Sequence, residues 1–273
     1  MPYAQTNRID TFYEDSGQGP AVVLIHGHSV DLRMWQYQAP ALTDAGYRVV
    51  RYDVRGHGRS TVPAEGYTWE NYSADLAGLA GSLSLEAAHL VGISMGGGIA
   101  LQFALDSPHR VLSLTLVDAA LPGFTYSEEF TSRIEELVQA VQTEGPRSAF
   151  ERLWLAHPFF DGLRRHPDRF ALLRKMALSY PAADYREGAV PPGYAPTVVD
   201  RLAQIAAPAL ILVGEQDIPD FRLIADLLAV NLPNARHLVL PGCGHVPPLE
   251  DTDAFNEALI AFLRDVSSTP RSS

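Results

Sequence analysis

Residues 92–96 have the sequence Gly-Ile-Ser-Met-Gly, which places Ser94 between two glycines. The apolar run 89–93 predicts a buried strand before this serine, and helical spacing from Met95 onward predicts a helix after it. A serine at a strand-to-helix turn, with flanking glycines that tolerate a strained backbone, has the setting of a nucleophile elbow. Because a serine hydroxyl is a weak nucleophile at neutral pH, such chemistry also requires a histidine base and a carboxylate that orients the histidine.

Candidates for both partners follow the serine in the chain order that this chemistry needs, which is serine, carboxylate, histidine. Asp217 ends the turn after the apolar run 209–213. His245 follows the apolar run 237–240 and precedes a predicted helix. We therefore predict that Ser94, Asp217 and His245 act together as nucleophile, orienting carboxylate and base.

Each of these assignments has an alternative. Ser94 could cap the N-terminus of the predicted helix, which is a common role for serine, and His245 could be a structural loop residue. Asp118, which follows another predicted strand, and Asp220 compete for the role of the carboxylate. Asp217 is favoured because it ends the turn after its strand, as the chain order requires.

A reaction of this kind also needs N–H donors for the oxyanion of its tetrahedral intermediate. The backbone N–H of Met95, directly after the serine, is one candidate. Residues 26–28, His-Gly-His, come at the end of the apolar run that starts at Ala21, and the backbone N–H of His28 is the second candidate. His26 and His28 could be imagined as metal ligands, but no Asp, Glu or Cys completes a recognisable spacing, so a turn role is favoured.

The elements that must position these residues alternate regularly along the chain. Short runs rich in Val, Ile and Leu alternate with stretches of helical spacing, which predicts an α/β fold with a parallel sheet buried on both faces. The weakly alternating segment 9–15 predicts an antiparallel edge hairpin. The predicted strands are residues 21–26, 48–53, 89–93, 111–117, 209–213 and 237–240, and the predicted helices outside the central region are 34–45, 70–83, 95–105 and 252–264.

The region 121–206 breaks this alternation, because it has no convincing buried strand. It has helical patterns over 128–142, 147–155 and 164–178, and loops are predicted around Pro181, Pro191-Pro192 and Pro196. An insertion between two strands would stand at the carboxyl edge of the sheet, where ligands bind in open α/β folds. We therefore predict a core formed by residues 1–120 and 207–273, and a helical cap formed by residues 121–206.

The predicted cap should supply much of the substrate pocket. Ligand sites are largely apolar and aromatic, so we expect Phe124 and Trp154 of the cap to line the pocket with Ile93 beside the serine. An anionic substrate would also need a cation that faces inward. The cap offers six candidates without indicating which of them does so: Arg133, Arg152, Arg164, Arg165, Arg169 and Lys175.

Five ordered motifs together resemble the α/β-hydrolase superfamily. They are His26-Gly27, residues 52–60, the Ser94 elbow, residues 214–217 and Gly244-His245. Within the superfamily, the chain is similar to the branch of small carboxylesterases, 3-oxoadipate enol-lactonase-like enzymes and cofactor-free haloperoxidases. The resemblance spans about residues 9–263. It implies an eight-stranded, mostly parallel sheet, a Ser94–Asp217–His245 triad, and no metal or organic cofactor.

The expected activity is hydrolysis of a small carboxylic ester, lactone or thioester through an acyl-enzyme on Ser94. One alternative is a cofactor-free perhydrolase or haloperoxidase, in which hydrogen peroxide replaces water at the same triad. A second alternative is a receptor-like protein that binds a ligand and turns it over slowly.

Composition limits the partners. The chain has 21 Lys and Arg against 32 Asp and Glu, and the net charge of −11 disfavours nucleic acid, whose phosphates are bound by cations. The single cysteine, Cys243, cannot form an intramolecular disulfide, and no apolar run approaches the length of a membrane helix. We expect a cytoplasmic protein that acts on a small molecule without membrane or nucleic-acid partners; the sequence does not indicate its oligomeric state.

Overall fold

The computed structural model describes residues 2–185 and 198–268. Its strands are β1 (Tyr3–Gln5), β2 (Asp10–Ser16), β3 (Ala21–Ile25), β4 (Arg48–Tyr52), β5 (Ala88–Ile93), β6 (Val111–Val117), β7 (Ala209–Gly214) and β8 (Ala235–Leu240). They form one sheet in the order β1-β2-β4-β3-β5-β6-β7-β8. The pairs β1–β2 and β2–β4 are antiparallel, and every other neighbouring pair is parallel. The predicted eight-stranded, mostly parallel sheet is confirmed.

Helices flank this sheet. They are α1 (Gln38–Asp44), α2 (Trp69–Ser82), α3 (Met95–Asp106), α4 (Glu128–Glu144), α5 (Pro146–Ala149), α6 (Pro167–Ala177), α7 (Pro219–Asn231), α8 (Pro247–Glu250) and α9 (Thr252–Ser268). Helix α3 packs against β5 and α2, α7 packs against β7, and α1 packs against α9. Within residues 2–185 and 198–268, no helix has the length and apolar character needed to cross a membrane.

The central strands form a rigid base for the residues that follow them. Every side chain of β3, β5 and β7 is buried. Burial of one Leu, Ile or Val side chain contributes about 1.5–3 kcal/mol, so the registers of these strands are strongly fixed. The carboxyl ends of the parallel strands therefore present the residues that follow them at defined positions along one edge of the sheet.

Three predicted elements differ from the structure. The helix predicted over 34–45 is a 3₁₀ turn (Leu32–Trp35) followed by α1, whose first turn contains Pro40, a residue that helix interiors exclude. Strand β1 was not predicted, because three residues carry too little alternation. Strand β8 was predicted to be buried on both faces but is an edge strand with one neighbour, which leaves Leu238 and Val239 partly exposed.

The chain between β6 and β7 will be called the inserted segment (residues 121–206). Its described regular structure is helical and includes α4, α5, α6 and a π-helical turn, Phe150–Trp154. The turn and α5 replace the single helix that helical spacing predicts over 147–155. The loops predicted around Pro191-Pro192 and Pro196 lie outside the described residues.

Candidate active site

Ser94 occupies a sharp turn directly between β5 and α3, with φ 51° and ψ −118°. Left-handed φ is strained for a residue with a side chain. The turn is possible because glycines surround it: a Cβ on Gly92 would lie 2.2 Å from the Gly96 carbonyl oxygen, and a Cβ on Gly96 would lie 2.2 Å from that of Ile25. Ser94 is at the N-cap position, but its side chain accepts no capping hydrogen bond from the described helix. This geometry favours a nucleophile elbow over a structural cap.

His245 and Asp217 form the pair that a serine nucleophile requires. The Nδ1 atom of His245 lies 2.7 Å from Oδ2 of Asp217. Asp217 Oδ1 accepts the Ile218 N–H at 2.7 Å, which fixes the orientation of the carboxylate. Ser94 and His245 line the same cavity. The structure thus brings together the three residues predicted to act as nucleophile, base and carboxylate.

Aromatic rings pack on the imidazole of His245 and bury it. Phe159 of the inserted segment stacks on His245, with ring centroids 3.8 Å apart and planes 14° apart, and Phe221 contacts its edge at 4.6 Å. Burial lowers the pKa of His245 to about 4, although the nearby carboxyl groups of Asp118 and Glu250 oppose this. At neutral pH the imidazole is therefore neutral and can accept a proton.

The two competing carboxylates have different positions. Asp220 accepts the Ser127 N–H at 2.6 Å and the Ser127 hydroxyl at 2.8 Å, so it anchors the start of α4. Asp118 lies behind the pair: one of its carboxylate oxygens, one from Asp217 and one His245 nitrogen all lie within 4.8 Å of one another. The close Asp217–His245 hydrogen bond already uses the groups that would bind a metal here, so the cluster fits a catalytic pair better than an open metal site.

The turn at residues 26–28 lies against the nucleophile. A Cβ on Gly27 would be 3.5 Å from Cβ of Ser94, and His28 lines the same cavity. His26 is fully buried and braces the turn, because Nδ1 lies 2.8 Å from the Gly27 carbonyl oxygen and Nε2 accepts the Val54 N–H at 2.9 Å. Burial lowers the pKa of His26 to about 4. Both of its ring nitrogens are thus used within the protein, which supports the turn role over the metal role.

Polar contacts join this turn to the inserted segment. His28 Nε2 lies 3.0 Å from Oδ2 of Asp184, and the Tyr180 hydroxyl donates to the other Asp184 oxygen. Burial alone would raise the pKa of Asp184, but the hydrogen bonds from His28 and Tyr180 outweigh it and hold that pKa below its usual value. The Trp154 indole N–H donates to the Ser29 hydroxyl at 2.6 Å. The position of the turn beside Ser94 therefore depends on contacts from the inserted segment.

The cavity above Ser94 is small, with a volume of about 40 Å³, and it opens partly to solvent. Its walls are mainly apolar and include Val30, Met34, Ile93, Trp154, Phe160 and Leu173. Ile93 and Trp154 therefore lie where substrate contacts are predicted. Phe124 is not among the lining residues and packs instead on Tyr126, with ring centroids 5.1 Å apart.

Among the described residues, no Lys or Arg lines this cavity. Lys175 is exposed, and the five arginines predicted as candidates have partners elsewhere. The partners are Glu129 for Arg133, Glu144 for Arg152, Asp161 for Arg164, Gln216 and the Gly242 carbonyl for Arg165, and the ring of Tyr37 for Arg169. The described wall thus offers no Lys or Arg side chain to a bound molecule.

Two residues of the site lacked a specific sequence signal. Phe159 is one of many aromatic residues in the inserted segment, and nothing in its spacing links it to His245. Asp184 lies 156 positions from His28 along the chain. Such contacts depend on how the inserted segment folds over the sheet, which local patterns do not encode.

Comparisons with known proteins agree with this geometry. A family model described as the alpha/beta hydrolase fold matches residues 20–252. A non-heme chloroperoxidase of Kitasatospora aureofaciens is 32% identical, over 96% of this chain and 99% of the relative. Among solved structures, a thermophilic esterase from Thermogutta terrifontis is 31% identical with a TM-score of 0.84, over 97% of this chain and 98% of that chain.

An enol-lactonase from Burkholderia xenovorans is 28% identical with a TM-score of 0.85, over 96% of this chain and 100% of that chain. These similarities extend over almost the whole length of the proteins compared. They support a single family assignment, with which the sheet order of the structure agrees. The chain belongs to the α/β-hydrolase family and is one of its hydrolases.

Proposed function

We propose that the protein cleaves small, uncharged carboxylic esters, lactones or thioesters through an acyl-enzyme on Ser94. The observation that carries this proposal is the 2.7 Å His245–Asp217 hydrogen bond in a site that shares one cavity with the strained Ser94 elbow. Esterases and an enol-lactonase are among the structures that the chain resembles.

The reaction follows from the positions of these groups. Nδ1 of His245 is hydrogen-bonded to Asp217, so Nε2 accepts the Ser94 proton as the hydroxyl oxygen attacks the substrate carbonyl. The backbone N–H groups of Met95 and His28 bind the oxyanion that forms. Protonated His245 then gives its proton to the leaving group. Water attacks the acyl-enzyme with His245 again as base, and Ser94 is regenerated.

The inserted segment serves as a cap in this proposal. It places Trp154 and Phe160 in the cavity wall and stacks Phe159 on His245. An apolar wall favours the acyl or alcohol part of a neutral ester, whereas a carboxylate would lose its hydration without gaining a partner. A small cavity with these walls favours short chains over long ones.

Replacement of the nucleophile tests the mechanism. The variant Ser94→Ala should lose about 10⁴-fold or more in kcat for p-nitrophenyl acetate, because only binding and oxyanion stabilisation remain. Ser148→Ala, which changes an exposed serine of the inserted segment, is the matched control and should be unchanged. Retention of esterase activity by Ser94→Ala would exclude the acyl-enzyme.

The substrate class is tested with two esters of similar length. We expect kcat/KM for p-nitrophenyl butyrate to exceed that for mono-p-nitrophenyl succinate by about tenfold or more, because the succinate ester carries a carboxylate into an apolar cavity. Equal or better turnover of the succinate ester would show that a cation reaches the pocket and would overturn the proposal of uncharged substrates.

A peroxide-dependent activity is the second candidate, favoured by the similarity to a non-heme chloroperoxidase. In that reaction hydrogen peroxide would attack the acyl-enzyme in place of water and release a peracid. Acetate-ester turnover measured with and without peroxide separates the two activities. A receptor-like protein with slow turnover would instead show binding of a neutral ester with little acid product.

A further inference from the structure

We propose that Asp118 is a positioning residue of the catalytic site: as a neutral carboxylic acid, it donates a hydrogen bond to the Asp217 carboxylate and holds it against His245. The inference rests on the proposed triad, and it gives a role to a carboxyl group that the triad mechanism leaves unused. Its evidence comes from the placement, burial and hydrogen bonding of the Asp118 side chain.

Asp118 is fixed at the point where two central strands end. It directly follows β6, and its backbone N–H donates to the Leu212 carbonyl oxygen of β7 at 2.9 Å. Its side chain is completely buried. Oδ1 accepts the Gly214 N–H at 2.9 Å, three residues before Asp217. The carboxyl group is therefore held beside Asp217 by the backbone of the neighbouring strand.

The second oxygen of Asp118 has no donor. Among the described residues, Oδ2 is a buried polar atom without a hydrogen-bond partner. A buried, ionised oxygen without a donor is strongly unfavourable. If Asp118 carries a proton, this oxygen can donate a hydrogen bond. The Asp217 carboxylate is the acceptor: an oxygen of each carboxyl group lies within 4.8 Å of the other, and a hydrogen bond between the two side chains contributes to the pKa of each.

The proton belongs on Asp118 rather than on Asp217. Two buried carboxyl groups that face each other do not both ionise, so one of them keeps a proton. Asp217 has two donors for its charged form, His245 and the Ile218 N–H, whereas Asp118 has one. Burial and the neighbouring Asp217 raise the pKa of Asp118 well above its usual value.

Other ionisable groups near Asp118 and Asp217 do not change the assignment of the proton to Asp118. Glu250 accepts the N–H groups of Gly244 and Val246 at 2.7 and 2.9 Å. Its charge acts on His245 and Asp217, and Arg222 partly offsets it at Asp217. Burial raises the pKa of Cys243 to about 12, so this thiol is neutral.

A hydroxyl donor on Asp118 changes how Asp217 behaves. Burial raises the pKa of Asp217 to about 7, and the hydrogen bond from Asp118 opposes that rise by stabilising the ionised form. Asp217 can then remain ionised at neutral pH, which is the form that orients His245 and stabilises its protonated state. Loss of the donor should move the acid limb of kcat/KM to higher pH, since Asp217 would require a higher pH to ionise.

Two substitutions of Asp118 distinguish the effect of its hydrogen-bond donor from the effect of a negative charge. Asp118→Asn keeps an acceptor for the Gly214 N–H and offers an N–H to Asp217, so kcat for p-nitrophenyl acetate should stay within about threefold of wild type, with the acid limb unmoved. Asp118→Leu has similar size but no donor. Its kcat should fall by about 10- to 100-fold, the loss expected for a hydrogen bond to a charged group, and its acid limb should move to higher pH with KM little changed.

Asp220→Asn is the matched control, because the Asp220 carboxylate is hydrogen-bonded to Ser127 at the start of α4. It should leave both kcat and the acid limb unchanged. The proposal is overturned if Asp118→Leu behaves as wild type, which would mean that the donor is unused. It is also overturned if Asp118→Asn moves the acid limb to lower pH, which would mean that a negative charge on Asp118 had stabilised protonated His245.

Infrared spectroscopy detects the proton on Asp118 directly. It depends neither on turnover nor on the folding of Asp118→Leu. The difference spectrum of wild type minus Asp118→Asn at pH 7 should contain the carbonyl band of a protonated carboxyl group, and its absence would overturn the proposal. The proposed function fails separately if Ser94→Ala remains active; the infrared band would still report the state of Asp118.

Discussion

The sheet edge that carries the reacting groups and the inserted segment that covers it are held by different interactions. Ser94 directly follows β5, its N–H donates to the Val117 carbonyl oxygen at 2.9 Å, and Asp217 is fixed by the Ile218 N–H. The inserted segment relies on ring contacts and on polar links such as His28–Asp184. We infer that, in the proposed reaction, strand backbones position the reacting groups, whereas side chains of the inserted segment determine which substrates fit.

The largest effect should come from the sheet edge. Asp217→Asn keeps the size of the side chain but removes the charge and favours the wrong tautomer of His245. We expect kcat for p-nitrophenyl acetate to fall by about 10³- to 10⁴-fold while thermal stability changes much less. A loss below tenfold would show that another carboxylate, such as Asp118, can orient His245.

The same comparison explains which residues of the site the sequence could predict. The sequence predicts Ser94, Asp217 and His245 as the triad because each follows a strand whose apolar run is visible in the sequence, and the structure brings Asp217 and His245 into contact. Met95 was named as an oxyanion donor for its place after Ser94, and that role remains a prediction. Phe124 was chosen by residue type alone, and the structure places it outside the described cavity wall.

The contacts of the inserted segment were not predictable in this way. Asp184 and Trp154 reach the turn at residues 26–28 through the packing of an irregular region, and no local periodicity reports which of its aromatic residues faces inward. The proton on Asp118 depends on burial and on its distance from Asp217. Both the burial of Asp118 and its distance from Asp217 are known only from the folded structure.

Ion pairs offer a second contrast between the two regions. Arg55 and Asp75 form a buried pair beside the sheet, with side chains 5% and 2% exposed. Arg152 and Glu144 form an exposed pair in the inserted segment, with side chains 52% and 36% exposed. Arg55→Ala should lower the free energy of unfolding by about 3–5 kcal/mol, because it leaves a buried carboxylate without its partner.

Arg152→Ala is the matched arginine variant and should lower the free energy of unfolding far less than Arg55→Ala does, since exposed pairs contribute little. Urea denaturation of both variants checks these values. Similar losses for the two substitutions would show that the inserted segment is held as firmly as the sheet.

Substrate selectivity should respond most clearly to Trp154, which lines the cavity and donates to Ser29. Trp154→Ala enlarges the cavity, so the ratio of kcat/KM for p-nitrophenyl octanoate to that for the acetate should rise by about tenfold, about the contribution of a few methylene groups that become buried. Trp154→Phe, which keeps most of the ring volume, should change the ratio far less. An unchanged ratio in Trp154→Ala would mean that the acyl chain binds elsewhere.

The most direct measurement of the catalytic assignment is mapping of a fluorophosphonate label by mass spectrometry. An activated serine reacts with this probe, whereas ordinary serines do not. We expect a single labelled peptide that contains Ser94, no labelling of Ser94→Ala, and much slower labelling of Asp217→Asn. An unlabelled wild-type protein, or equal labelling of Ser94→Ala, would contradict the assignment of Ser94 as the nucleophile.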